Sequence, residues 1–318
     1  MNKQKIAILG ATSHIAKGLI SNFFQSGDFE MHLYIRSSDK IKDFLEKIGQ
    51  SKSKDYAICE GYDDFLKHHY DVVINCVGVG TSNKLQGNYS NYFTVTEEYD
   101  NLVIKYLQNI NPDALYISFS SGAVYGRELK ESAEENSLNC IKVNNILKED
   151  YYSIVRLNAE TKHRTFNNLN IVDLRLFSYF SRFIDLTDGY FITELLNSLL
   201  SKETFMTNDQ NIIRDYVHPK DLFSIIKKCI EAKKINAAFD VISAKPVEKK
   251  EILDYFSREY GLKYKTISSL ANTSATGSKN IYYSKYNNSS SIGYKPEFSS
   301  LDTIQQESKY ILGNLTKL

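Results

Sequence analysis

The stretch Lys5 to Ile20, KIAILGATSHIAKGLI, constrains this chain more than any other. Lys5-Ile6-Ala7-Ile8-Leu9 is a short apolar, partly β-branched run, long enough for one buried strand. Gly10 ends it, and Ile15, Leu19 and Ile20 then recur at helical spacing with Lys17 outside. The spacing predicts a strand running through a tight turn, Gly10-Ala11-Thr12-Ser13, straight into a helix. At such a junction the first helical N–H groups have no partner of their own, and the helix dipole favours an anion. Gly10 permits the sharp turn and the close approach of a pyrophosphate. A G-x-x-G-x-x-G dinucleotide fingerprint wants glycine at 10, 13 and 16, where this chain has Gly10, Ser13 and Ala16. Alanine is tolerable at the third position, which only lets helix and strand pack closely, and the Ser13 hydroxyl is able to bond a phosphate itself. Gly10, Thr12, Ser13, His14 and Ile15 are therefore candidate cofactor-binding residues; the competing reading is an ordinary first βα unit of an α/β protein.

The rest of the first half repeats the strand–helix alternation. Met31 to Ile35 reads as a second strand ending in Arg36-Ser37-Ser38. In a dinucleotide fold this strand end meets the adenosine ribose, where an acid binds the 2′-hydroxyl of NAD and an arginine accommodates the 2′-phosphate of NADP. No acid lies between Met31 and Ser38, so Arg36 and Ser37 point to NADP rather than NAD, the alternative being a plain surface arginine. Tyr56 to Cys59 reads as a third strand and Asp71 to Gly78 as a fourth, whose end carries Val77 and Gly78 where backbone would pass beside a cofactor. A helix over Thr96 to Gln108, an Asn-Pro turn at 111–112 and a fifth strand over Ala114 to Phe119 follow. This alternation implies a parallel, doubly wound sheet, an α/β fold of Rossmann type.

Composition narrows the function classes. A net charge of +1 argues against general affinity for nucleic acid or anionic membrane. No run approaches the ~20 apolar residues of a membrane span, and the N-terminal apolar run is too short for a signal peptide. Cys59, Cys76, Cys140 and Cys229 form no C-x-x-C pair; Cys59 and Cys76 fall in predicted buried strands, as suits reduced thiols in a cytosol. No zinc spacing occurs, and the adjacent His68 and His69 suit a solvated surface better than a metal site. With 23 Tyr and no Trp, single tyrosines carry little information.

Ser120-Ser121-Gly122-Ala123-Val124-Tyr125-Gly126 closes the fifth strand, and a helix carrying Tyr151 and Tyr152 follows about thirty residues on. The stretch FSSGAVYG with its tyrosine-bearing helix resembles the extended short-chain dehydrogenases/reductases of the nucleotide-sugar epimerase/dehydratase group. Leu174 to Tyr179 resembles that family's sixth strand and its exit. Arg214-Asp215-Tyr216-Val217-His218-Pro219-Lys220-Asp221-Leu222 resembles its R-D-F/Y-V-H-V-x-D-V signature, and Ile292-Gly293-Tyr294-Lys295-Pro296 its C-terminal L-G-W/Y-x-P turn. The resemblance covers nearly the whole chain. It implies a dinucleotide-binding domain over 1–177 and 211–244, with Phe239 to Ile242 as its last strand. It also implies a smaller, discontinuous α+β substrate-binding region over 178–210 and 245–318, with a loop within Ser268 to Ser291.

The same resemblance implies the site. Ser121 matches the family's catalytic hydroxyl and Tyr152 its acid/base. The family's lysine, four residues past the tyrosine, is here Arg156, which keeps the positive charge but cannot release a proton. Two outcomes follow: an enzyme that runs with arginine, or a binding protein that has lost its chemistry. Arg156, Val77, Gly78 and Tyr179 would join the cofactor site, and Ser121, Ser178 and Arg214 the nucleotide-sugar site, with Arg214 meeting the diphosphate; a plain Arg214–Asp215 pair is the alternative. Gly122 and Ala123 stand where the dehydratase branch has Asp-Glu, which leaves net ketoreduction of a 4-keto-6-deoxy sugar, or epimerisation. The family often forms homodimers through the helix bearing the tyrosine.

Overall fold

The computed structural model describes residues 3–79, 85–127, 129–232, 234–268 and 280–313. The first half alternates β1 (Gln4–Leu9), α1 (His14–Ser26), β2 (Phe29–Ile35), α2 (Asp39–Lys47), β3 (Tyr56–Glu60), β4 (Val72–Asn75), α3 (Asn91–Asn109), β5 (Leu115–Ser121), α4 (Tyr151–Thr165) and β6 (Asn170–Leu176). Then come β7 (Ser178–Tyr179), α5 (Phe191–Ser201), β8 (Phe205–Thr207), β9 (Ile213–Arg214), β10 (Tyr216–Val217), α6 (Pro219–Glu231) and β11 (Asn236–Val241). The chain closes with β12 (Val247–Glu248), α7 (Lys249–Tyr260), β13 (Tyr264–Thr266), β14 (Ile281–Tyr282) and α8 (Ser300–Leu312).

Seven strands form one sheet in the order β11-β6-β5-β4-β1-β2-β3, every pair parallel. Because helices cover both faces, β1 is apolar throughout its core: Ile6 and Ile8 pack with α1 and α6, Ala7 and Leu9 with α3. Burying each such large aliphatic side chain contributes roughly 1.5–3 kcal/mol. The strand order reverses between β1 and β4, so a crevice opens at their carboxyl ends, where α/β sheets of this kind take their ligands. A second apolar cluster, built from α5, α7, α8 and β8, lies outside the sheet and includes Leu195, Phe205, Phe256 and Ile304.

Several boundaries differ from the sequence expectations. The fourth strand stops at Asn75 rather than Gly78, because the Asn75 side chain accepts a hydrogen bond from the Val77 N–H (3.0 Å) and turns the chain out of the sheet. α3 begins at Asn91, five residues before the apolar periodicity announces it. Cys59 and Cys76 are only partly buried, and Cys76 lies beyond the end of β4. The His68-His69 pair is exposed. The tyrosines are more informative than their number suggested: Tyr34, Tyr70, Tyr106 and Tyr116 are fully buried, with Tyr34 and Tyr70 hydroxyls 2.6 Å apart. Of the Ser/Asn-rich segment 268–291, residues 269–279 lie outside the described residues.

Candidate active site

The turn after β1 is built for close approach. Gly10 has φ +69°, and a Cβ there would lie 3.0 Å from Val77 and 3.1 Å from the Cys76 carbonyl, so β1 and the end of β4 press together across the crevice. Ser13 caps α1: its Oγ accepts from the Ala16 N–H at 3.3 Å. It also bonds the Cys76 thiol, which burial pushes up and so keeps neutral. Thr12 and Ile15 flank that cap, half-buried, with Ile15 packed on the main core. His14 turns away towards the segment after β7: its Nε2 lies 2.8 Å from the Ser181 Oγ and its ring 4.8 Å from that of Tyr179.

Tyr179 is less a crevice residue than a wedge beneath α1. Its hydroxyl lies 2.0 Å from where a Cβ on Gly18 would stand, so Gly18, which the sequence reading passed over, is the glycine that lets this helix pack. Ser178 sits beside it in β7, in register with Tyr216 of β10. Arg36 and Ser37 are exposed at the end of β2, and no carboxylate stands between Met31 and Ser38. Two further side chains gather there. Tyr62 hydrogen-bonds the Gly10 backbone, its hydroxyl pushed up to about 12 by burial, and its ring lies 4.8 Å from that of Tyr99. The Arg36 charge acts on both phenols in the opposite sense.

At the end of β5 the chain turns through one short 3₁₀ turn, Gly122–Tyr125. Ser121 starts it, its Oγ accepting from the Ala123 N–H at 3.1 Å. Tyr152 and Arg156 share one face of α4 at i and i+4, and the guanidinium carbon stands 5.2 Å from the Tyr152 ring centroid. Arg156 Nη1 donates to the Phe119 carbonyl of β5 at 3.0 Å, and Nη2 lies 3.0 Å from where a Cβ on Gly78 would stand. Its Nε is buried with no acceptor among the described residues. One arginine therefore ties Tyr152, the strand bearing Ser121 and the turn after β4 together.

Sequence reasoning missed Tyr282. Its hydroxyl lies 3.0 Å from the Ser121 Oγ across 161 residues of sequence. It is almost wholly buried, and desolvation pushes its phenol up. Its signal lay only in a short stretch inside the Ser/Asn-rich segment 268–291, one tyrosine among many. Tyr92, with its ring 5.3 Å from Tyr152, completes that side. Tyr190, at the start of α5, is close enough for its ionisation to be opposed by Tyr152 and Tyr282.

Arg214 is 4% exposed, its Nη1 donating to the Ile213 and Asn280 carbonyls (3.0 and 3.3 Å), with the Tyr282 ring centroid 5.9 Å from its guanidinium carbon. Asp215 does not neutralise it. The Asp215 carboxylate accepts from the Ser243 N–H at 3.0 Å and the Ser300 hydroxyl at 3.3 Å, and burial raises it to about 6. The simple Arg214–Asp215 pair is thus replaced by two separate roles. No group of three or more metal-ligating side chains occurs among the described residues.

The model of the NAD dependent epimerase/dehydratase family matches residues 6–241. No curated protein matches the sequence significantly. Among solved structures, the UDP-glucuronic acid 4-epimerase of Bacillus cereus, in complex with UDP-glucuronic acid and NAD, superposes with a TM-score of 0.80 at 16% identity, over 97% of this chain and 99% of that one. The UDP-N-acetylglucosamine 4-epimerase of Methanobrevibacter ruminantium M1, in complex with UDP-N-acetylmuramic acid, gives 0.80 at 17% identity, over 98% and 99%. The dTDP-glucose 4,6-dehydratase of Bacillus anthracis str. Ames, in complex with NAD, gives 0.73 at 15% identity, over 98% and 97%. With residues 6–241 matched by the family model on a seven-stranded Rossmann sheet, the chain belongs to the NAD-dependent epimerase/dehydratase family, enzymes of the extended short-chain dehydrogenase/reductase type.

Proposed function

We propose that this protein is an NADP(H)-dependent oxidoreductase that reduces the keto group of a nucleotide-linked 4-keto-6-deoxy sugar. The observation that carries the reading is that Arg156 links the Tyr152 ring on α4 to the Phe119 carbonyl of β5, the strand that ends in Ser121 and lies beside β4 at the crevice. The crevice fits a dinucleotide: Gly10 has no room for a side chain, α1 begins there, and Arg156 offers a buried Nε without a partner among the described residues. Gly10, Thr12, Ser13, His14 and Ile15 would hold the pyrophosphate side, Val77, Gly78 and Arg156 the nicotinamide side, and Tyr179 the packing beneath α1. The bound nicotinamide supplies the hydride.

The chain's own groups handle the proton. Tyr152 gives its phenolic proton to the oxygen that becomes the alcohol, and Ser121 hydrogen-bonds the same oxygen. The Arg156 cation over the Tyr152 ring stabilises the phenolate left behind and stays charged throughout. Buried Arg214, two residues before Tyr216, which pairs with Ser178, is the anchor for the sugar nucleotide's diphosphate. The absence of acids at Gly122 and Ala123 argues against water elimination.

The exposed Arg36 and Ser37 at the end of β2 favour NADP, and with it net reduction, since that cofactor pool is kept reduced. Epimerisation with a retained NAD is the second reading, favoured by the 4-epimerases among the structural neighbours, one solved with UDP-glucuronic acid and NAD and another with UDP-N-acetylmuramic acid. We further propose that 1–177 with 211–244 bind the cofactor while 178–210 with 245–318 form the substrate side. The same reading puts the protein in the cytosol, and pairing of α4 between copies would make a homodimer. Among the described residues no helix is long and apolar enough to cross a membrane. Incubation with NADPH or NADH and a panel of nucleoside-diphosphate 4-keto-6-deoxy sugars tests the assignment. Stoichiometric NADPH oxidation with a reduced sugar is expected; isomerisation without net cofactor turnover would establish the epimerase instead.

A further inference from the structure

We infer that Tyr282 is a positioning residue: it donates its phenolic proton to the Ser121 Oγ, so that Ser121 has only its own proton left to give to the substrate oxygen. The inference rests on the reading of Ser121 as the hydroxyl that meets the reacting oxygen.

A serine hydroxyl has one proton and two lone pairs. At Ser121 one lone pair takes the Ala123 N–H at 3.1 Å, and the Tyr282 hydroxyl stands 3.0 Å from the same oxygen. A phenol is the stronger donor of the two hydroxyls, and an aliphatic hydroxyl oxygen, whose lone pairs are not drawn into a ring, the better acceptor. Burial keeps Tyr282 protonated, and the Arg214 cation 5.9 Å from its ring centroid strengthens it as a donor. With both lone pairs filled, Ser121 cannot accept a proton from a sugar hydroxyl. It can only donate, which suits a keto oxygen and suits the developing alkoxide better.

Tyr282 is held where this demands. It lies in β14, paired with β9, and its ring stands 5.1 Å from that of Phe177. Two residues on, Ser284 donates to the buried Asp240 carboxylate at 2.5 Å. Asp240 also takes the Tyr125 hydroxyl at 2.9 Å and Arg175 at 3.3 Å. Arg175 in turn binds Glu160, which accepts from Ser120, the neighbour of Ser121. Strand end, catalytic helix and β14 are thus locked into one buried network.

The test is a double-mutant cycle on the full chain, with NADPH and whichever keto-sugar nucleotide it reduces. Tyr282→Phe keeps the ring and removes only the donor. It is expected to lower kcat about tenfold with KM nearly unchanged, and to have no further effect in a Ser121→Ala background. A purely structural role would slow both backgrounds alike, and that result overturns the inference. Full activity in Tyr282→Phe with an impaired Ser121→Ala overturns it while leaving the site assignment intact. Full activity in Ser121→Ala overturns the site assignment itself. The coupling is read as a ratio between backgrounds, so a general loss of folded protein in either variant does not imitate it.

Discussion

His163 on α4 has no exposed surface, yet it is expected to carry a proton well above neutral pH. Its Nδ1 stands 2.8 Å from Asp173 and its Nε2 2.7 Å from Asp100. Lys162 pairs with Asp100, Arg164 binds Asp173 at 2.7 Å, and the Tyr116 hydroxyl donates to Asp100 at 2.9 Å. Burial alone pulls the imidazole down, but the hydrogen bonds and charges of the two carboxylates outweigh it and raise it to about 9. A group whose folded value is raised contributes stability that is complete below its unfolded value of 6.5 and is lost as pH climbs through the folded one. The interval from 6.5 to about 9, at about 1.36 kcal/mol per pH unit, comes to about 3 kcal/mol. Urea unfolding at pH 6, 7.5 and 9, followed by far-ultraviolet circular dichroism because the chain has no Trp, measures it. Wild-type stability is expected to fall by that order across the window, and His163→Gln to remove most of the slope. The difference between the two chains cancels groups that titrate in both. Equal slopes, or a flat wild type, would refute the assignment of a charged His163 bridging two carboxylates.

Further outcomes follow from the same contacts. Gly18→Ala puts a methyl 2.0 Å from the Tyr179 hydroxyl and is expected to cost about 1–3 kcal/mol in chemical denaturation. Tyr179→Phe added to it should restore most of that loss, and a Gly18→Ala variant as stable as wild type would contradict the packing. Tyr152→Phe should abolish most turnover while cofactor affinity, measured by titration, stays nearly unchanged; wild-type turnover would rule out Tyr152 as the acid/base. Arg156→Lys should retain activity with a steeper alkaline decline, since the lysine can lose its proton and arginine cannot. Arg36→Ala should weaken NADPH about tenfold or more and leave NADH unaffected, as for a lost charge-assisted contact.

Much of this architecture was legible because it rests on local patterns. The β1 run, the glycine after it and the helical spacing of Ile15, Leu19 and Ile20 specify a βα unit within twenty residues. The end of β5 and the tyrosine helix were legible for the same reason, each being one continuous motif. What escaped depends on contacts between distant segments. Nothing around Gly18 reveals that a tyrosine 161 residues later will lie across it. Asn75 looked like one more strand residue until its side chain took the Val77 N–H and ended β4 early. Tyr282 was hidden by the abundance of tyrosine, and its meaning arises only when β14 is set beside the end of β5. Arg214 and Asp215, adjacent in sequence, go to different partners: Arg214, the last residue of β9, to the Ile213 and Asn280 carbonyls, and Asp215, just past that strand, to Ser243 and Ser300.

The reach of these contacts along the chain bears on how the protein matures during synthesis. The seven sheet strands are all available once Val241 has been made, and the family model ends at the same residue. The Ser121–Tyr282 contact and the Arg182–Glu307 ion pair need segments made later. A growing chain can therefore close its nucleotide crevice while the far wall of the site is still unsynthesised. Non-local pairings of this kind form late and slowly. Cofactor binding is expected to precede competence for sugar chemistry in each newly made molecule.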